Sequence, residues 1–302
     1  MREKLRELVV ISGKGGTGKT SVTASFAVLA AGRTVIADCD VDAADLHLIL
    51  NPSVCERHTF KSGREAVIRR GECKGCGLCA TLCRFDAPGY VKRPFGKAIY
   101  EIDPIACEGC GVCVRFCPAK AIDFPERVCG EWMVSATRCG PLVHARLNAA
   151  AENSGKLVSR VRQEARRIAE EKDLALMVTD GPPGIGCPVI ASVTGAAQVL
   201  VVTEPTVSGE HDLERVLALT RHFEVPAAVC VNKWDINADL TERIEKKAEQ
   251  AGARVVGRIR YDRTVTAAQI QAKAVVETDS PSGTDIRSLW EKLELERIGE
   301  HT

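Results

Sequence analysis

Aromatic side chains make up only 4% of this 302-residue sequence, and neither sign of charge dominates, with 41 Lys and Arg against 40 Asp and Glu. No apolar run reaches the roughly 20 residues that a membrane-spanning helix needs, so no stable membrane insertion is expected. A formal net charge of +1 gives no reason to expect a nucleic-acid partner. The opening residues, MREKLRELVVIS, pass within a few positions into an apolar strand and lack the apolar stretch and cleavage site of a secretory signal. A cytoplasmic protein is expected. What remains, 45% hydrophobic residues in a chain of this length, suits an α/β protein with one large domain and a smaller one.

Cysteine, in contrast, is abundant, with 14 in the chain. In a reducing cytoplasm such usage points to metal ligation, because disulfides there are seldom kept. Eight cysteines fall in two runs, Cys73-x2-Cys76-x2-Cys79-x3-Cys83 and Cys107-x2-Cys110-x2-Cys113-x3-Cys117-Pro118. This is the spacing by which bacterial two-cluster ferredoxins hold two [4Fe-4S] clusters, and in that spacing the fourth cysteine of each run ligates the other cluster. Cys73, Cys76, Cys79 and Cys117 would then hold one cluster, and Cys107, Cys110, Cys113 and Cys83 the other. Structural zinc and disulfides are the plainer alternatives, but zinc usually takes separate C-x2-C pairs. Arg84 stands where the second run has Pro118, placing a cation beside Cys83 that would raise the potential of the cluster held there.

The apolar strand Leu8–Ile11 leads directly into Gly13-Lys14-Gly15-Gly16-Thr17-Gly18-Lys19-Thr20, which matches GxxxxGK[ST], and a helix is expected from Val22 to Ala31. In such a loop the backbone N–H groups surround phosphate oxygens, Lys19 neutralises the β and γ phosphates, the Thr20 hydroxyl ligates Mg2+, and Ser21 opens the helix at the phosphates. With Lys14 early in the loop, GKGGTGKT resembles the deviant Walker A motif of the MinD/ParA/Mrp ATPases and the nitrogenase iron protein. That resemblance, which covers almost the whole chain, implies a homodimer closed around nucleotide, with Lys14 reaching the partner's phosphates. It implies ATP and ADP as ligands, a role for Asp40 of Asp38-Cys39-Asp40 in activating the attacking water, and a role for Asp180 of Asp180-Gly181-Pro182-Pro183-Gly184 in supporting Mg2+ directly or through water. Lys14, Lys19 and Asp40 are the catalytic candidates. Asp42 and Asp45 read as caps or surface residues.

Asn232-Lys233-Trp234-Asp235 follows another strand and reads two ways. It matches the NKxD signature of GTPases, whereas in the resembling ATPases an Asn at this strand end contacts adenine. Asn232 thus suits either base and Asp235 favours guanine; the phosphate-binding loop favours ATP.

Strands at 199–202, 227–231 and 254–259 alternate with helical patterns at 213–222 and 240–250, which predicts a doubly wound, mostly parallel sheet. The cysteine-rich stretch, 63–127, is inserted into that P-loop domain, which takes residues 1–62 and 128–302. Inside the insert, 89–94 and 97–102 read as a hairpin and 121–124 as a closing strand. Residues 61–128 carry twelve basic and eight acidic side chains, an excess that offsets the roughly −2 of each cluster with its thiolates. Strands are also expected at 131–137 and 142–147. The stripe Ile286, Leu289, Trp290 and Leu293 reads as a packing helix, because Asp285, Glu291, Glu294, Glu296 and Glu300 against Arg287, Lys292 and Arg297 would not attract an anionic membrane.

Cys39 and Cys230 read as buried small hydrophobes, and Cys129 and Cys139 as structural thiols. Cys187, seven residues after Asp180, occupies a place like that of a cluster-ligating cysteine in the nitrogenase iron protein, but a second cysteine for such a site is lacking. The leading expectation is an ATPase that couples nucleotide-driven dimer switching to electron transfer, through two [4Fe-4S] clusters, toward a partner protein or metallocofactor. An Mrp-like cluster carrier would use a CxxC near the C-terminus, which is missing after Cys117. A MinD- or ParA-like positioning ATPase is the other alternative. No glutaminase domain supports cobyrinic acid diamide synthesis.

Overall fold

The computed structural model describes residues 5–92, 98–148, 151 and 153–293. Residues 1–4, Pro94 and Lys97 of the expected hairpin, and Glu294, Glu296, Arg297 and Glu300 lie outside these. Along the chain come β1 (Arg6–Ser12), α1 (Lys19–Leu29), β2 (Thr34–Asp38), α2 (Leu46–Leu50), β3 (Ser53–Arg64), β4 (Val67–Ile68), α3 (Leu78–Leu82) and β5 (Pro88–Val91). Next are β6 (Ile99–Ile102), α4 (Val112–Phe116), β7 (Ile122–Asp123), β8 (Glu126–Ala136), β9 (Pro141–Leu147), α5 (Ser154–Glu171), β10 (Leu176–Pro183) and α6 (Cys187–Val193). The remainder is β11 (Gln198–Thr203), α7 (Val207–His222), β12 (Ala227–Asn232), α8 (Ala238–Gln250), β13 (Arg254–Ile259), α9 (Thr264–Ile270) and α10 (Pro281–Lys292).

A nine-stranded sheet has the order β13-β12-β11-β1-β10-β2-β9-β8-β3, and the pairings from β13 through β9 are parallel. Helices cover both faces of β1, whose successive side chains point to opposite sides. Leu8 and Val10 join one buried cluster with Phe26, Ile286 and Trp290, while Val9 and Ile11 join another with Val189, Leu213 and Ile244. This is the doubly wound, mostly parallel sheet that the alternating pattern predicts. The stripe on α10 is buried, and Trp290 meets Phe26 with ring centroids 5.1 Å apart. Helix α1 begins at Lys19, earlier than Val22, directly after Gly18, whose left-handed geometry marks the helix N-cap. The long strand β3 has no counterpart in the sequence reading, since both of its faces are largely exposed and carry no alternation.

The chain divides into two compact units. The first takes residues 1–58, 131–146 and 154–302; the second takes 59–130 and 147–153. In the second, β4 pairs antiparallel with β7 and β5 with β6, giving the hairpin and closing strand. Its apolar core is small: Ala66, Ile68 and Ile122 are buried, and Cys73, Cys79, Cys107, Cys113 and Cys117 pack around them with Tyr100 and Phe124.

One buried ion pair ties the large unit together. The Arg162 guanidinium of α5 donates to Glu7 of β1 at 2.8 and 2.7 Å, and also to the carbonyls of Ala191 and Thr194 at the end of α6. Glu7 further accepts from Arg166 and from Thr179, the residue before Asp180. Breaking a buried pair leaves an uncompensated charge. Arg162→Met is therefore expected to cost about 3 kcal/mol in chemical denaturation, with Arg166 limiting the loss.

His144 on β9 is buried and bonded to Ser135 at 2.8 Å; burial, with His47 and Arg57 nearby, pushes its pKa down to about 4 from 6.5. The unfolded chain then binds the proton first as pH falls. Stability should drop by up to about 3 kcal/mol between pH 6.5 and 4, and His144→Gln should flatten that part of a denaturation-midpoint profile.

Candidate functional site

The phosphate loop occupies the turn between β1 and α1. Gly16 and Gly18 adopt left-handed φ of 81° and 89°, and a Cβ at Gly18 would fall 2.4 Å from Asn232 Nδ2, so only glycine lets the loop close there. Lys19 Nζ lies 3.2 Å from Asp40 Oδ2 and 3.1 Å from Asp180 Oδ2. The Thr20 hydroxyl donates to Asp180 Oδ2 at 2.8 Å, and Thr23 donates to Asp180 Oδ1 at 2.8 Å. Parallel pairing of β1, β10 and β2 brings the ends of these strands together, as ligand sites in open α/β sheets require.

Electrostatics at this point are dominated by burial. It opposes the Lys19 charge, yet Asp180, Asp40 and Asp38 outweigh it and hold the ammonium above its ordinary value. Burial raises Asp40 despite Lys19, and burial together with the Asp180 charge pushes Asp38 well above the usual carboxylate range. Asp38, which sequence reading passed over in favour of Asp40, accepts the backbone N–H groups of Asp40 and Leu46 and fixes the turn after β2.

A cavity of about 450 Å³ opens over these groups, lined by Gly15 to Ser21, Asp40, Pro182 and Pro183. Asp42 and Asp45 line it too, and the Asp45 side chain makes no cap bond. A neighbouring cavity of about 270 Å³ is lined by Gly16, Gly18, Asn232, Lys233, the Ile259–Asp262 segment and Gln269. Size and position suit a nucleoside beside the phosphates, and the donor set suits phosphate and Mg2+: backbone amides, an ammonium, a hydroxyl and carboxylates. A larger groove, about 1010 Å³, runs along α5 beside Trp132 and contains none of these residues.

Asn232 and Asp235 do not converge. Asn232 Nδ2 donates to Thr17 O at 2.7 Å, whereas Asp235, outside the second cavity, accepts the Tyr261 N–H at 2.7 Å. Lys14 folds back within its own chain, with Nζ 2.6 Å from Glu204 and 3.1 Å from the hydroxyls of both Thr206 and Ser208. Lys233 reaches the other Glu204 oxygen at 3.1 Å and the Gly16 carbonyl at 3.3 Å. Burial opposes the Glu204 charge, but bonds from Lys14 and Lys233 hold its carboxyl below the ordinary value. Sequence reading missed Glu204, though its place just past a buried strand end matches that of Asp40.

In the small unit, Cys73, Cys76, Cys79 and Cys117 line one cavity with Tyr100 and Pro118. The Ala121 N–H points to Cys117 Sγ at 3.4 Å. Burial pushes the Cys79 thiol up, with Cys73 and Cys76 adding to it; burial likewise raises Cys113, with Cys107, Cys110 and Cys79 adding. All fourteen cysteines are free thiols. Among the described residues, no three His, Cys, Asp or Glu converge as they would on a single metal ion. Cys39, Cys129, Cys139 and Cys230 are buried; Cys55 and Cys187 are exposed, the latter at the start of α6.

Residues 8–275 match the CobQ/CobB/MinD/ParA nucleotide-binding domain. The chain belongs to that family. It is 33% identical over 236 residues to the uncharacterized protein MJ0578 of Methanocaldococcus jannaschii, covering 77% of this chain and 80% of the relative. A second uncharacterized protein of that organism, MJ0579, is 25% identical over 258 residues, covering 76% and 81%. Among solved structures, the septum site-determining protein MinD of Pyrococcus horikoshii with Mg-ADP aligns over 97% of both chains, with a TM-score of 0.58 and 14% identity. The cell division ATPase MinD of Pyrococcus furiosus aligns over 96% of this chain and 98% of its own, with a TM-score of 0.57 and 16% identity. A Cyanothece McdA–ATP complex aligns over 99% of both, at 0.58 and 14%. The fold is that of the nucleotide-binding MinD and ParA ATPases, and among the described residues no helix is long and apolar enough to cross a membrane.

Thr17 Oγ1 is buried in the loop without a hydrogen-bond partner. Thr17→Val removes that unpaired hydroxyl at nearly constant shape, so it should raise the unfolding free energy of the nucleotide-free chain by about 1 kcal/mol in chemical denaturation.

Proposed function

We propose that this protein is an ATPase whose small unit holds two [4Fe-4S] clusters, and that nucleotide state controls electron transfer from that unit to a partner protein or metallocofactor. The observation that carries the iron–sulfur part is the single cavity lined by Cys73, Cys76, Cys79 and Cys117, the set that the crossed spacing assigns to one cluster. The unit's buried apolar residues are few and mostly small, chiefly Ala66, Ile68, Ala87, Ile99, Ala121 and Ile122, too little to stabilise a fold of its size without cross-links, and its cysteines are free. Cys107, Cys110, Cys113 and Cys83 would hold the second cluster. When bound, each cluster supplies a one-electron reservoir.

At the nucleotide site, Lys19 moves from the carboxylates to the β and γ phosphates. Thr20 and Asp180, already hydrogen-bonded to each other, would hold Mg2+ directly or through water. Asp40, released from Lys19, orients the attacking water and accepts its proton. The raised Asp40 carboxyl suits a group that exchanges protons. Lys14, less than one third exposed, leaves Glu204 to reach the nucleotide of a second copy, giving a homodimer around nucleotide. ATP is favoured over GTP because Asp235 is bound to the Tyr261 N–H outside the nucleoside cavity.

A second reading, a MinD- or ParA-like positioning ATPase, is favoured by the fold shared with MinD. The test begins with anaerobic purification and an iron count, expected near eight per chain. EPR and film voltammetry follow without nucleotide, with ADP and with a nonhydrolysable ATP analogue. A nucleotide-dependent shift of about 60 mV, tenfold in a one-electron equilibrium, is expected. Full iron content with unmoved potentials and spectra would sink the coupling and leave the positioning reading.

A further inference from the structure

We infer that the two cysteine sites are unequal and that the first, formed by Cys73, Cys76, Cys79 and Cys117, takes up an electron more readily than the second. This rests on the iron–sulfur reading. The two runs superimpose position by position: Cys73-Lys74-Gly75-Cys76-Gly77-Leu78-Cys79 against Cys107-Glu108-Gly109-Cys110-Gly111-Val112-Cys113. Their backbones agree as well. Gly75, Gly77, Gly109 and Gly111 have φ of 68°, 77°, 62° and 74°, and α3 and α4 each start directly after the second of the glycines. With the loops alike, a difference between the sites must come from the side chains around them.

Three differences point the same way. Lys74 and Glu108 occupy equivalent positions with opposite charges, and among the described residues neither is in an ion pair. Against Gly77 lies the Tyr100 hydroxyl, 3.0 Å from where a Cβ would stand, and Tyr100 lines the cavity with the first four cysteines. Against Gly111 lies the ring of Phe124 at 3.3 Å, with no polar atom to offer. Finally, Ala121 N–H donates to Cys117 Sγ, and among the described residues Cys83 has no such bond.

Positive charge and donors near the sulfurs stabilise the added electron and raise the potential. Arg84, which follows Cys83, and Arg115, on α4 within the second run, both oppose Glu108, so the inequality rests on the Tyr100 hydroxyl and the Ala121 N–H rather than on net charge. Arg64 stands across the Phe124 ring, 5.8 Å from its centroid, and donates to the Phe124 carbonyl. Lys120, close behind Cys117, adds to the first site. An electron arriving from a low-potential one-electron carrier therefore comes to rest at the first site, and the second is the stronger reductant.

The test is film voltammetry with EPR-monitored redox titration of the full chain and of Lys74→Glu, Glu108→Lys and Tyr100→Phe, reduced with dithionite. Two midpoints are expected, separated by at least tenfold in the one-electron equilibrium, about 59 mV. Lys74→Glu and Tyr100→Phe should lower only the higher one, and Glu108→Lys should raise only the lower one. Coincident midpoints at full iron content, or variants that move the opposite midpoint, would overturn the inequality alone. A chain that binds no iron and gives no cluster EPR signal would overturn the iron–sulfur reading beneath it.

Discussion

A single ammonium, that of Lys19, holds together a buried hub of three carboxylates, Asp38, Asp40 and Asp180. Burying ionised carboxylates is costly unless opposite charge and hydrogen bonds compensate them. Here one lysine faces three acids, so compensation is incomplete, and Asp38 is pushed well above its normal range. The strand ends cannot separate without exposing that imbalance. Mg2+ held beside Thr20 and Asp180 would add positive charge to that balance.

From this hub the consequences run outward along the strands. Asp180 lies in the second half of β10, and its neighbour Thr179 is bonded to Glu7, which Arg162 clamps to the last turn of α6. The segment from Asp180 to Gly186 therefore lies between two fixed ends, the hub and the Arg162 clamp. Within it Gly184 has a left-handed φ of 90°.

Much of this was legible from the chain because the motifs are local. The phosphate loop, its strand and its helix are contiguous, and each cysteine run is confined to one short stretch of sequence. Asp40 and Asp180 were legible as acids at the ends of apolar strands. What was hidden depends on packing between distant segments. Glu204 gains meaning only when Lys14 and Lys233 arrive from other strand ends. Tyr100 and Phe124 differ in role only once each is folded against a glycine of a different run. Asn232-Lys233-Trp234-Asp235 could be read as a string but not as a shape. Lys233 takes a left-handed φ of 56°, which turns Asp235 away from the cavity and toward the Tyr261 amide.

The Glu204 bridge makes the phosphate loop a device sensitive to its ionic surroundings. Lys14 and Lys233 are about 30% exposed and Glu204 16%, so both pairs lie within reach of dissolved ions. The Debye length shrinks from about 10 Å at 0.1 M to about 3 Å at 1 M, and such half-wet pairs weaken with it, while the dry contacts of Lys19 scarcely change. Rising salt thus frees Lys14 and loosens the grip on the Gly16 carbonyl without disturbing the core of the site. The freedom of Lys14 to leave Glu204 is in this way tied to the ionic strength of the surrounding solution.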